Sequence, residues 1–91
     1  MAATVQIPTA LKRFAGNQDS LALRGDTVAG VMAQIADTLP DLKKHLFNAN
    51  GTLRNFVNVY VNDEDIRHLQ QMNTPLKDGD VVTLVPAVAG G

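Results

Sequence analysis

The sequence contains no cysteine and no tryptophan, and its only aromatics beyond histidine are three phenylalanines and one tyrosine. Without cysteine there are no disulfides, no thiolate catalysis and no cysteine-based metal site. With so few aromatics, the core must be built from Val, Leu, Ile and Ala. Charge of one sign is lacking too: eight basic residues face nine acidic ones, for a net charge of −1. Such a chain has no field strong enough to gather nucleic acid or an anionic membrane. The basic residues are scattered apart from Lys43-Lys44. No apolar run approaches the ~18 residues needed to span a bilayer. The opening "MAATVQIP" lacks the basic and apolar regions of a signal peptide, which predicts a cytoplasmic protein.

What is present is the composition of one globular domain: 91 residues, 45% hydrophobic and 19% charged. Residues 4–8, "TVQIP", alternate through Val5 and Ile7 as a half-buried strand does. "GNQ" at 16–18 is turn chemistry, and "SLALR" at 20–24 alternates again, so the two strands read as a hairpin. The period then changes. Val28, Val31, Met32, Ile35, Ala36 and Leu39 form one stripe of a helix, with Thr27 as its cap and Asp26 adding favourable negative charge there. Pro40 stops that helix. "DLKKHLF" predicts a short second helix with Leu42 and Leu46 facing inward.

"NFVNVYV" is the strongest strand, with Val57, Val59 and Val61 on one face and Phe56, Asn58 and Tyr60 on the other. "NDEDIR" predicts a turn leading into a short strand. "KDGD" predicts a tight turn in which Gly79 takes positive φ. "VVTLVP" is the last strand, with Val82 and Leu84 facing the core and Pro86 ending it. The order β-β-α-(short α)-β-β-β predicts an α+β domain of two layers, a main helix across a mixed sheet. Residues 1–86 form this domain, and residues 87–91 fall outside the packed pattern as a flexible C-terminal tail.

The sequence ends "PAVAGG", six residues without charge or side-chain chemistry. Five extended residues from Ala87 reach at most ~17 Å. Ala87, Val88, Ala89 and Gly90 are small enough to enter a narrow channel in a partner, and two residues without Cβ let a catalytic group approach the Gly91 carboxylate closely. A carboxylate is a poor electrophile. Adenylated by ATP it becomes a mixed anhydride, open to attack by sulfur, an amine or a thiol. With no cysteine in the chain, the activated end has no internal thiol to capture it.

At this point the chain resembles the ThiS/MoaD sulfur carriers, bacterial relatives of ubiquitin with a β-grasp fold. The motifs are "LKDGDVVTLVPAVAGG" at 76–91, "DTVAGV" at 26–31 and "FVNVYVNDEDIR" at 56–67, the last most similar to the CysO-type branch of cysteine biosynthesis. The resemblance implies a carrier that is a recycled co-substrate rather than an enzyme, binding no cofactor of its own. An E1-like enzyme would adenylate Gly91 using ATP and Mg²⁺ and exchange one carboxylate oxygen for sulfur. In the CysO-type route the thiocarboxylate attacks an aminoacrylate on a PLP-dependent cysteine synthase, and a zinc metalloprotease then releases cysteine. Pro86 and Ala87 would direct the tail, and Val88 and Ala89 would give it apolar grip. The same ending serves the thiamine pathway and the small subunit of molybdopterin synthase, and a β-grasp interaction module with an incidental terminus is the alternative from another class.

The remaining residues support blander readings. His45 and His68 are too few for a zinc site and read as surface residues. "NDED" at 62–65 lacks the alternating ligands and distal Glu of a calcium loop and reads as a solvated turn. "NGT" at 50–52 is a turn. Phe14, Phe56 and Tyr60 are the candidate docking surface, the last two because alternation turns them away from the core.

Overall fold

The computed structural model describes residues 2–54 and 57–86. Strand β1 covers Ala2–Gln6 and β2 covers Ser20–Arg24; helix α1 covers Val28–Thr38 and α2 covers Pro40–Leu46; strands β3, β4 and β5 cover Val57–Val61, Glu64–Asp65 and Val81–Pro86. The strands form one mixed sheet in the order β2-β1-β5-β3-β4. β5 lies in the middle. It runs parallel to β1, with Thr4 beside Val81 and Gln6 beside Thr83. It runs antiparallel to β3, with Val57 opposite Pro86 and Val61 opposite Val82.

The predicted faces hold. Val57, Val59, Val61, Val82 and Leu84 are buried on one face of the sheet together with Ala3 and Val5. Against it α1 lays Val28, Val31, Met32 and Ile35, all buried, while Ala36 is half-buried and Leu39 packs at the margin. The Gly30 amide donates to Thr27 Oγ1 at 3.2 Å, so Thr27 caps α1 as expected. Pro40 both ends α1 and opens α2, a position where its missing N–H costs nothing. Leu42 and Leu46 of α2 are fully buried. No helix among the described residues is long and apolar enough to cross a membrane.

Several elements differ from expectation. The first strand is set two residues earlier than "TVQIP", because Pro8 has no N–H for the ladder and instead opens a 3₁₀ helix at Thr9–Ala15. That helix fills what reads in sequence as a plain connection. It buries Leu11 and Ala15 and ends on Gly16 and Asn17, both at positive φ. The short strand β4 lies within "NDEDIR" rather than after it: Asn62 and Asp63, with φ of 50° and 72°, make a two-residue turn whose twist suits a hairpin. Two further 3₁₀ turns, Ile66–His68 and Gln71–Asn73, carry the chain under α1. There Val28 N donates to the Thr74 carbonyl and Leu76 N to that of Asp26, which ties the helix start to the sheet's far end.

Candidate functional site

Pro86, the last described residue, sits opposite Val57 in the middle of the sheet. Whatever follows leaves from that point. The predicted tail residues Ala87, Val88, Ala89 and Gly90, the attachment residue Gly91, and the docking candidate Phe56 lie outside the described residues.

The strand that carries the tail is fixed at its start by a polar lattice. Gly79 turns the chain at φ 90°, as predicted, and its amide donates to the Ala2 carbonyl. Asp80 accepts from the Lys77 amide at 2.8 Å and from Asn62 Nδ2 at 2.9 Å. Those two bonds, the backbone one foremost, hold its carboxyl below the usual range. Asn62 Oδ1 in turn accepts from the Val81 amide at 3.0 Å, and the Asn62 amide donates to the Val81 carbonyl. Three strands are therefore joined at one corner: β1 through Ala2 and Thr4, β5 through Val81, and the β3–β4 turn through Asn62.

On the face away from the helices, alternation turns half-buried Thr83 and exposed Val85 of β5 outward beside Tyr60 and Asn58 of β3. Tyr60, Asp63, Thr83 and Val85 line a shallow depression there. Val85, 38% exposed, is the large hydrophobic left on the described surface. Tyr60 is half-buried on this face, as the sequence predicts. Val85 was not anticipated, although the alternation that assigns Val82 and Leu84 to the core also turns Val85 outward.

Phe14 belongs to a different surface. Its ring stacks on that of His45 with centroids 3.8 Å apart, the Arg13 guanidinium lies 4.8 Å from the Phe14 ring centroid, and the side chain packs against the core. Phe14 and Tyr60 are thus not brought together. His45 is exposed, as expected, but holds this aromatic partner; His68 is exposed as well.

The "NDED" stretch corrects one reading. Asn62, Asp63 and Glu64 are solvated, but Asp65 is buried, not part of an open turn. Its carboxylate takes a two-pronged contact from Arg67, with Nη2 at 2.7 Å and Nε at 3.1 Å, and accepts from the Arg67 amide at 2.8 Å. The side-chain and backbone bonds from Arg67 hold its pKa down to about 2. This carboxylate is committed to an internal partner. Among the described residues no group of three or more His, Asp or Glu is placed to hold a metal ion.

The sequence profile of the ThiS family matches residues 5–91. The sulfur carrier protein CysO of Mycobacterium tuberculosis is 42% identical over 93 residues, covering all of both chains. In the crystal structure of the Amycolatopsis orientalis BexX/CysO complex, the matching chain superposes with a TM-score of 0.87 at 40% identity, over 99% of this chain and 100% of that one. The small archaeal modifier protein 1 of Methanosarcina acetivorans superposes with a TM-score of 0.90 at 31% identity, over 99% and 96% of the two chains. With its ubiquitin-like β-grasp sheet and a match that runs from the first strand to the final glycine, the chain belongs to the ThiS family.

Proposed function

We propose that this protein is a sulfur carrier, used as a co-substrate by partner enzymes, whose working group is the Gly91 carboxylate. The observation that carries the reading is full-length identity of 42% to proteins named as the sulfur carrier CysO. A family profile that extends to Gly91 agrees with it.

In this reading an E1-like enzyme, supplying ATP and Mg²⁺, joins the Gly91 carboxylate oxygen to the α-phosphate and releases pyrophosphate. A sulfur nucleophile then attacks the acyl carbon. The C–S bond forms, the C–O bond to phosphate breaks, and AMP leaves with the electron pair. Once the sulfur is freed from its donor, the product is a thiocarboxylate. In the cysteine route its sulfur adds to the β-carbon of an aminoacrylate on a PLP-dependent synthase. The acyl group moves from sulfur to the amino nitrogen, and a zinc metalloprotease hydrolyses the resulting Gly91–cysteine amide. In this reading the carrier works in the cytoplasm beside its partners.

The chain's own residues contribute position. Pro86 and Ala87 direct the tail out of the sheet centre, Val88 and Ala89 grip the partner's channel, and Gly90 leaves room around the reacting carbon. Tyr60 and Val85 supply the docking face beside the exit, with Phe56 a further candidate from the alternation of the sequence; Phe14 would serve a separate contact.

The test is the intact mass of the protein after incubation with an E1-like enzyme, ATP and a sulfide source, beside a version lacking Gly91. A gain equal to one oxygen exchanged for one sulfur, seen only with Gly91 present, is the expected result. Activation that persists without Gly91 would overturn the reading. Adding the aminoacrylate-forming synthase and finding a cysteine adduct assigns the cysteine route.

A further inference from the structure

The net charge is nearly neutral, but the charges are unevenly placed. β1 and β5 run parallel, so the chain after β1 and the chain after β5 lie at the same end of the sheet. β3 begins at that end too, because Val57 faces Pro86. Three cationic segments converge there. Arg13 sits on the 3₁₀ helix after β1, Lys43 and Lys44 on α2, and Arg54 just before β3.

Specific contacts join them. Arg54 reaches back to α2, its Nε and Nη2 donating to the Lys44 carbonyl at 3.2 and 3.0 Å. Arg13 is linked to α2 through the Phe14 ring, which stacks on His45. Among the described residues the ion pairs are Lys12–Asp19 at 2.8 Å and Asp65–Arg67 at 2.7 Å, so no described carboxylate neutralises Arg13, Lys43, Lys44 or Arg54. The nearest acid on α2 is Asp41, in its first turn. Lysines at a helix C-terminus are locally favourable, but that leaves unexplained why Arg54 and Arg13 join them from other segments.

At the opposite end acids outnumber bases: Asp78 and Asp80 precede β5, Asp63 and Glu64 follow β3, and Asp26 is tied to Leu76, against Arg24 and Lys77. Five rises along the six-residue β5 separate the two ends by about 17 Å. At physiological salt the screening length is ~8 Å, so a partner at one end feels little of the other.

Resting on the sulfur-carrier reading, we propose that Arg13, Lys43, Lys44 and Arg54 form a cationic collar beside the tail exit that docks on an acidic protein surface around the mouth of the activating enzyme's tail channel. The separated charges turn the molecule tail-first as it approaches that surface. This contact lies on the helical side of the exit, apart from Tyr60 and Val85 on the open sheet face.

Thiocarboxylate formation by an E1-like enzyme, measured against carrier concentration, tests it. The variant Lys43→Glu/Lys44→Glu changes two exposed side chains and keeps the backbone carbonyl that holds Arg54. The control Arg24→Glu/Lys77→Glu makes the same change in net charge at the acidic end. At about 0.05 M salt the collar variant should raise KM by ~10-fold or more with kcat within ~2-fold, and about 0.5 M salt should close most of the gap. The control should stay within ~2-fold of wild type. Lys43→Gln/Lys44→Gln, with half the charge change, should shift log KM by about half as much and guards against misfolding of the Glu variant. Equal KM for wild type and collar variant, or an equal effect from the control, refutes the collar alone. A wild type that gains no sulfur refutes the carrier reading, and the collar falls with it.

Discussion

Asn62 offers the sharpest measurement of how firmly the tail-bearing strand is held. The residue makes two kinds of contribution that different substitutions separate. Its backbone is in the left-handed region, at φ 50°, where an ordinary L side chain costs about 1 kcal/mol or more. Its side chain donates to Asp80 and accepts from the Val81 amide. Both bonds lie near solvent, so water replaces part of each, and together they stabilise by about 1–2 kcal/mol. Asn62→Ala loses both contributions, for about 2–3 kcal/mol. Asn62→Gly adopts the same φ freely and loses the side-chain bonds alone, for about 1–2 kcal/mol.

In a domain of this size each kcal/mol moves Tm by about 4–8 °C. Thermal unfolding followed by circular dichroism should therefore place the Ala variant below the Gly variant by about 4–8 °C, with wild type above both. Coinciding Tm values for Ala and Gly would refute the backbone-strain component. A Gly variant as stable as wild type would refute the side-chain lattice. Because the other end of β5 is set by its pairing with β3, both variants should still gain sulfur normally well below their Tm.

Three further outcomes follow from the same structure. Asp65, held near pKa 2 against an ordinary 3.8, has a depressed folded-state pKa, so its pairing with Arg67 stabilises the fold above pH ~4 and is lost as pH falls toward ~2; urea unfolding of Arg67→Gln should be weaker than wild type at neutral pH and converge with it in that acid window, and a pH-independent gap would refute the linkage. Gly25→Ala brings a Cβ to within 2.9 Å of both Val31 Cγ2 and the Val31 amide, so it should lower stability by about 1–3 kcal/mol in the same assay, and an unchanged Tm would show that the Gly25 turn gives way freely. Val85 still exposes 38% of its surface, and burying that share of a side chain worth about 1.5–3 kcal/mol contributes about 0.6–1.1 kcal/mol, so Val85→Ala should raise the carrier's KM in activation by about three- to seven-fold, whereas an unchanged KM would remove the open sheet face from the docking contact.

The elements legible in the sequence are those whose signal is local. The α1 stripe, the alternating valines of β3, the Thr27 cap and the Gly79 turn each declare themselves within about a dozen residues. What was hidden depends on distant partners. The 3₁₀ helix at Thr9–Ala15 has no helical period long enough to read; it forms because Leu11 and Ala15 cover the sheet's end beside α2. Asp65 looks solvated among Asn62, Asp63 and Glu64, and only Arg67, folded back onto it, explains its burial. Arg13, Phe14 and His45 meet across some thirty residues with no shared motif. The ending "AGG" was conspicuous because it lacks side-chain chemistry, yet its surroundings came only from the sheet order, which sets β5 between β1 and β3.

That central position bears on how a five-residue tail is used. Such a segment reaches about 17 Å at most, so under the proposed function a partner would dock close to the exit for Gly91 to arrive at its active site. Each residue that frayed from the strand would add about 3.3 Å of slack and spread the carboxylate over more positions. Fraying is smallest where a strand is paired on both sides and buried beneath. β5 meets those conditions over Val81–Thr83, where β1 and β3 both flank it and the Asn62–Asp80 lattice closes its start; from Leu84 to Pro86 its ladder is with β3 alone, with Leu84 buried beneath. Any fraying is therefore confined to Leu84–Pro86, which the β3 ladder alone holds, and the doubly paired Val81–Thr83 sets its limit. On the proposed reading, docking residues would ring the exit, with Tyr60 and Val85 on the open face and the cationic collar on the helical side, within the distance the tail can cover.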